Sequence, residues 1–344
     1  MDIKNFFKKS RKFYLLALLL LIFTVPLALS GCRDWGGSSG TSSSSPTSPV
    51  ASGNVWVVNN GNGTAGTASD DSNVTKLSPS GTVIGTYAAG SHPNAIAIDS
   101  SGNVWVANLG SNNVTKLSPS GALIGTYEVG IGPNAIAIDS SGNVWVANVG
   151  SDNVTKLSPS GTVIGTYAVG NQPYAIAIDS SGNVWVANYG DGTVGTASDD
   201  SNVTKLSPSG TVIGTYAAGN LPYAIAIDSS GNVWVANYGD GTVGTASDDS
   251  SVMELSPSGT VIGTYAVGSY PNAIAIDSSG NVWVANGGLN DTAGTASDDS
   301  NVMELSPSGT VIGTYEVGIG PEGIAIEPSD NNGEYFPYKG PEWP

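Results

Sequence analysis

The sequence predicts an all-β fold, a six-bladed β-propeller of four-stranded antiparallel blades closed by pairing of its N- and C-terminal segments, and three observations predict it. First, Gly-Asn-Val-Trp-Val recurs at Gly53, Gly102, Gly142, Gly182, Gly231 and Gly280, spaced by 40 or 49 residues. Repeats of that period belong to stacked arrays and propellers. Second, an Ile-Ala-Ile run precedes every Trp segment but the first (from Ile96, Ile136, Ile176, Ile225 and Ile274), and the missing run stands after the last repeat at Ile324–Ile326. Third, Val144 and Val146 point to one side of their strand and Trp145 and Ala147 to the other. A strand apolar on both faces needs cover on both faces, which a radial stack of sheets supplies.

Residues 1–31 read as an export signal. Lys4, Lys8, Lys9, Arg11 and Lys12 precede an apolar run from Tyr14, and Leu29-Ser30-Gly31-Cys32 ends it with small residues. That ending resembles the lipobox of bacterial lipoproteins, which implies a lipidated Cys32. An uncleaved membrane anchor is the alternative, although Pro26 interrupts the run and its length is marginal for a span. Cys32 is the only cysteine, so the exported part contains no disulfide. Residues 32–52, mostly Gly, Ser, Thr and Pro, form a flexible tether of about 25 Å. The propeller is expected over 53–333. In the tail, 334–344, Tyr335, Phe336, Tyr338 and Trp343 stand among prolines and either fold back or remain loose.

Beyond the leader, six basic residues (Arg33, Lys76, Lys116, Lys156, Lys205, Lys339) face 27 acidic ones, a net charge of −21. Such a surface repels nucleic acid and anionic headgroups, so the membrane is met through the anchor alone. The expected setting is the bacterial cell envelope, at an outer membrane or cell surface, and the expected state is a monomer.

One repeat shows the strand plan. Ala135-Ile136-Ala137-Ile138 and Asn143-Val144-Trp145-Val146-Ala147 are β-rich runs joined by Asp139-Ser140-Ser141-Gly142. Asn153 to Leu157 follows, then Ser158-Pro159-Ser160-Gly161, a turn with proline early and glycine where positive φ is wanted, then Thr162 to Tyr167. Each unit is a four-stranded meander. Trp56, Trp105, Trp145, Trp185, Trp234 and Trp283 are core; Glu254 and Glu304, replacing the lysine of Thr-Lys-Leu in the last two blades, are read as surface strand positions.

The pattern Pro-Asn-Ala-Ile-Ala-Ile-Asp-Ser-Ser-Gly-Asn-Val-Trp-Val-Ala-Asn, then Asn-Val-Thr-Lys-Leu-Ser-Pro-Ser-Gly, resembles the repeats of six-bladed propellers of the streptogramin (virginiamycin B) lyase type and the related NHL repeats, over about Gly53 to Ile326. The resemblance implies a lyase site at the mouth of the central channel, with a histidine in Pro-His-Gly-Ile, carboxylates and magnesium. Here the residues after the matching prolines are Asn94, Asn134, Tyr174, Tyr223, Asn272 and Glu322, and the single histidine, His92, precedes its proline. General acid–base catalysis most often uses histidine. The expectation is therefore a non-catalytic binding scaffold, with a streptogramin lyase-like lyase or hydrolase using a divalent metal as the alternative.

The channel-mouth row, together with Glu128 and Glu316 in segments leading to an inner strand, forms the candidate ligand site. Glu316 and Glu322 are candidates for an acidic pair. Blades one, four, five and six also carry a Gly-Thr-Ala-Ser-Asp-Asp-Ser insert with Asp70, Asp71, Asp199, Asp200, Asp248, Asp249, Asp298 and Asp299, and Asp191 and Asp240 stand nearby. Calcium or magnesium binding and a hydrated acidic loop are both open for these inserts. Inserts and blade connections are expected on one face, where a protein, glycan or small molecule would land. The Asn-Val-Thr sequons at Asn73, Asn113, Asn153 and Asn202 are read as idle.

Overall fold

The computed structural model describes residues 53–61, 72–191, 200–239, 250–288 and 300–326. Cys32, the leader, the tether and the tail lie outside them, as do Asp70, Asp71, Asp199, Asp240, Asp248, Asp249, Asp298 and Asp299. The chain divides into two compact units, 1–55 with 77–82 and 56–76 with 83–344. In the first unit the described turn at Ser78 is closed by Ser78 N–H to the Thr82 carbonyl at 2.8 Å and by Thr82 N–H to Ser78 Oγ at 3.1 Å.

Among the described residues all the regular structure is β. Blade one holds β1 (Val55–Asn59), β2 (Asn73–Leu77) and β3 (Val83–Ala88). Blade two holds β4 (Pro93–Ile98), β5 (Val104–Asn108), β6 (Asn113–Leu117) and β7 (Leu123–Glu128). Blade three holds β8 (Pro133–Ile138), β9 (Val144–Asn148), β10 (Asn153–Leu157) and β11 (Val163–Ala168). Blade four holds β12 (Pro173–Ile178), β13 (Val184–Asn188), β14 (Asn202–Leu206) and β15 (Val212–Ala217). Blade five holds β16 (Pro222–Ile227), β17 (Val233–Asn237), β18 (Ser251–Leu255) and β19 (Val261–Ala266). Blade six holds β20 (Pro271–Ile276), β21 (Val282–Asn286), β22 (Asn301–Leu305) and β23 (Val311–Glu316). Each sheet follows chain order, so every connection within a blade is a hairpin. These are the blades of a β-propeller.

Both hairpin turns use one device. Asp139 N–H reaches the Asn143 carbonyl at 2.9 Å while Gly142 N–H reaches the Asp139 carbonyl at 2.8 Å, and Ser158, Gly161 and Thr162 repeat the arrangement. Gly142 and Gly161 take φ of +80° and +91°, the left-handed conformation that ends a three-residue hairpin loop. The Asp139 carboxylate then anchors the strand that follows, accepting from Ser141 N, Asn143 N, Asn143 Nδ2 and Trp145 Nε1 at 2.8–3.1 Å. This explains why Asp-Ser-Ser-Gly-Asn-Val-Trp travels as a unit. On the outer side, a bulge between Lys156 and Leu157 disturbs the ladder to β11, as at the same place in blades two, four, five and six; bulges of this kind blunt exposed edges.

The core lies between blades. Trp145 and Val154 of blade three pack on Val184, Val186 and Leu206 of blade four, with Tyr167 and Ile176 alongside. The same contact joins blades two to three, four to five and five to six. Trp105, Trp145, Trp185 and Trp234 are fully buried, each worth roughly 4–6 kcal/mol as an upper bound of area burial. Trp56 and Trp283, in the first and last blades, are half-buried.

The expected closing strand is not formed among the described residues: 321–326 carry no strand hydrogen bonding and the first sheet is three-stranded, β1-β2-β3. Val55 and Val57 are accordingly 49% and 39% exposed where Val104 and Val106 are fully buried. The other inner strands are delivered to their Trp strand by a tight hairpin. The run at Ile324 has Gly323 in place of alanine, is followed by Glu327-Pro328 instead of Asp-Ser-Ser-Gly, and has its partner at the far end of the chain, so it alone meets the entropy of closing the longest loop. A second difference concerns Glu254 and Glu304. They are buried, 3% and 6% exposed, and not surface positions, because this strand position faces the indole of its own blade.

Candidate functional site

Each innermost strand begins with a proline, and the residue after it forms a row from blade to blade. Asn94 donates its amide to the Asn134 backbone carbonyl and to Asn134 Oδ1, both at 3.0 Å, and Asn134 donates to the Tyr174 carbonyl at 2.7 Å. Tyr174 and Tyr223 then meet ring to ring, centroids 4.6 Å apart. Further on, Asn272 donates to the Pro321 carbonyl at 3.0 Å, beside Glu322. The structure thus links members of the row into an arc.

Three tyrosines outside that row extend it. Tyr189 lies 5.2 Å from Tyr174, Tyr238 lies 5.3 Å from Tyr223, and Tyr270 lies 4.4 Å from Tyr238, giving the sequence 189, 174, 223, 238, 270 of successive ring contacts. Burial first, then the neighbouring phenols, pushes the Tyr189 and Tyr223 hydroxyls far above their ordinary range; a hydrogen bond with Tyr174 and the Glu322 charge add to the effect at Tyr223. Both phenols stay neutral at physiological pH, and what they offer is rigid apolar area with polar tips.

The backbone beneath the row is held in an uncommon conformation. The residue before each proline takes positive φ, +50° at His92, +50° at Gln172, +53° at Leu221 and +54° at Tyr270, with glycine at 132 and 320. Left-handed backbone at bulky non-glycine residues stores strain and persists where surrounding bonds over-determine it. At His92, Gly132, Gln172, Leu221 and Tyr270 the carbonyl accepts an N–H from the residue after the Trp strand, as Tyr189 to Gln172 at 2.9 Å and Tyr238 to Leu221 at 3.0 Å. Each N–H is received by a side chain twenty residues earlier, Gln172 by Asp152 at 2.8 Å and Gly132 by Asn112 at 2.9 Å.

Glu128 and Glu316 are placed elsewhere, exposed at the ends of the outer strands β7 and β23, three strands from the innermost row in sheets where strands lie about 4.8 Å apart. Of the insert aspartates, Asp200 is described: it accepts from Asp191 N–H at 2.9 Å and from the Asn171 amide, the bonding of a loop brace.

Residues 67–294 match the virginiamycin B lyase family. The chain belongs to that family. Among solved structures, a streptogramin B lyase is similar over 73% of this chain and 79% of its own at 17% identity and a TM-score of 0.59. A catalytically inactive histidine-to-alanine variant of virginiamycin B lyase from Staphylococcus aureus, with quinupristin, is similar over 80% and 94% at 16% identity and a TM-score of 0.60. Hydrazine synthase from Kuenenia stuttgartiensis is similar over 74% and 84% at 17% identity and a TM-score of 0.62. These likenesses share a fold, and one fold hosts unrelated functions. No curated protein matches.

The magnesium that the virginiamycin B lyase resemblance implies does not fit the donor set at the row. Among the described residues no three His, Cys, Asp or Glu side chains converge as ligands, and Glu322 is the row's one carboxylate. Hard cations want several oxygens. Two sets of residues were missed in the sequence. Tyr189 and Tyr238 follow the Trp strand, where other repeats have Leu109, Val149 and Gly287; Tyr270 occupies the position of His92 and Gly132. The signal was departure from an otherwise copied repeat.

Proposed function

We propose that the chain is a lipid-anchored, extracytoplasmic propeller that binds a ligand on the face carrying the innermost row and does not turn it over. The observation that supports this most is the tyrosine stack continuing the Asn94, Asn134, Tyr174 series, a rigid amphipathic surface with neutral phenols and without a histidine in the row. Aromatic anchors of this kind dominate binding energetics because they bring area at little entropic cost. Binding of a protein, a glycan or a small molecule fits this surface. The family favours a second reading, a lyase or hydrolase at the same mouth with Glu322 as its acid or base, since Glu322 acts on the Tyr223 phenol.

The two readings part in one experiment. A panel of cyclic depsipeptides and lactones is incubated with the full chain and with Glu322→Gln. Binding without turnover, weakened by Tyr174→Ala, supports the scaffold; turnover abolished in Glu322→Gln establishes the lyase reading instead. Anchoring is tested by metabolic labelling with radioactive palmitate, which should be lost in Cys32→Ser.

A further inference from the structure

Four blades hold a lysine ammonium at one repeated place. Lys76, Lys116, Lys156 and Lys205 each donate at 2.7 Å to a proline carbonyl of the following blade (Pro119, Pro159, Pro208, Pro257) and lie 4.5–5.0 Å over the indole of their own blade. Three of them stand 3.8 Å from the turn aspartate, Asp99, Asp139 or Asp179. Blade five keeps the turn aspartate and the indole but has Glu254 opposite Trp234. Asp228 still accepts from Ser230 N, Asn232 N and Trp234 Nε1 at 2.8–3.3 Å. A cation beside a carboxylate has become a carboxyl beside a carboxylate.

We infer that blade five contains an acid-stabilised seam, in which Glu254 binds a proton at the place a lysine fills in blades one to four, so that this blade is held more firmly at mildly acidic pH than at neutral pH. Glu254 is 3% exposed and receives one hydrogen bond, from the Tyr265 hydroxyl at 2.9 Å. The titratable groups acting on it are Tyr265 on β19 and Asp228 on the β16–β17 turn; Lys205, from the preceding blade, is committed to Asp179 and the Pro257 carbonyl. Blade six provides the contrast. Glu304 has both oxygens served, by Tyr315 at 2.7 Å and Asn281 at 3.1 Å, whereas the Asn232 amide in blade five turns to Asp228.

Burial is the largest influence on Glu254 and raises its pKa; the Tyr265 bond opposes it and the Asp228 charge reinforces it, with a net upward shift. A carboxyl whose folded pKa lies above its unfolded value of 4.5 contributes stability that is complete below that value and is lost as pH rises through the folded one. The seam lies in the blade that supplies Tyr223 and Tyr238, the middle of the tyrosine stack.

The test is the thermal midpoint of the full chain between pH 4 and 8, for wild type, E254Q and E254K. The wild-type midpoint should fall relative to E254Q as pH rises, the two meeting near pH 4 and separating by about 2–4 °C near neutrality. E254K, restoring the lysine of the other blades, should exceed wild type at neutral pH. A difference between wild type and E254Q that is constant with pH overturns the inference. A carbon-13 NMR titration of glutamate carboxyls in the wild type reads the same proton without a variant at this position, E304Q serving for assignment: one buried resonance should titrate above the ordinary carboxyl range, and its absence overturns the inference equally.

Discussion

Lys156 places its ammonium 2.7 Å from the carbonyl oxygen of Pro208, in the following blade, and 4.5 Å over the ring of Trp145 in its own. One side chain, 8% exposed, therefore joins two sheets and caps the largest core residue between them. The pair matters because β10 faces β9 with Lys156 opposite Trp145, and on β11 the residue opposite Lys156 is Gly165, over which the Tyr167 hydroxyl lies.

Replacing Lys156 by Met keeps the stem and removes the charge. It deletes a charge-assisted hydrogen bond and a partly desolvated cation–π contact and leaves Asp139 without its cation, which should cost about 2–4 kcal/mol in urea unfolding. A loss under about 0.5 kcal/mol would mean that packing of the stem alone holds the blades.

Gly161 is constrained twice. Its φ of +91° is one that L side chains rarely adopt, and a Cβ there would fall inside the ring of Tyr127 on the preceding blade. Gly161→Ala should destabilise by about 2 kcal/mol or more, and Gly161→Ala with Tyr127→Ala should lose less than the sum of the single changes, measured as a double-mutant cycle.

The repeated parts of this fold were legible because they are local. The hairpin turns, the β-rich runs and the Trp strand all lie within one copy, and alternation alone put Val144 and Trp145 on opposite faces. What escaped was set by neighbours in space. Glu254 looked like a solvated strand position, since charge in a strand ordinarily marks the outside, but its side is closed by the adjoining blade. Tyr189, Tyr238 and Tyr270 stand in three different connections and meet only once the strands are stacked. The Ile324 run carries the right apolar pattern without the turn that would hold it, and pattern alone does not make a strand.

Acid should act through the turn aspartates of blades two to four. At Asp99, Asp139 and Asp179 burial raises the pKa, but the hydrogen bonds from the following Asn and Trp, with further backbone or lysine help, outweigh it and leave the value below the ordinary 3.8. Stability from a depressed carboxyl is present above its unfolded pKa and lost as pH falls through the folded one. The chain should therefore lose stability progressively below about pH 4. Asp139→Asn should flatten part of that loss in acid unfolding followed by tryptophan fluorescence, while lowering stability at neutral pH.

Alkali should act through the tyrosine stack. A phenol whose folded pKa lies above its ordinary value of 10.0 contributes stability below that value and loses it as pH rises, so ionising Tyr189 or Tyr223 requires the stack to open. Ultraviolet titration of phenolate should accordingly show a late group of tyrosines that ionises only together with loss of the tryptophan signal. Tyr223→Phe keeps the ring between Tyr174 and Tyr238 while removing the hydroxyl, so it should reduce the late amplitude and shift alkaline unfolding to higher pH. Reversible ionisation of all tyrosines near the ordinary value, with the fold intact, would show that the rings are open to water and the stack is not the closed surface drawn from its contacts.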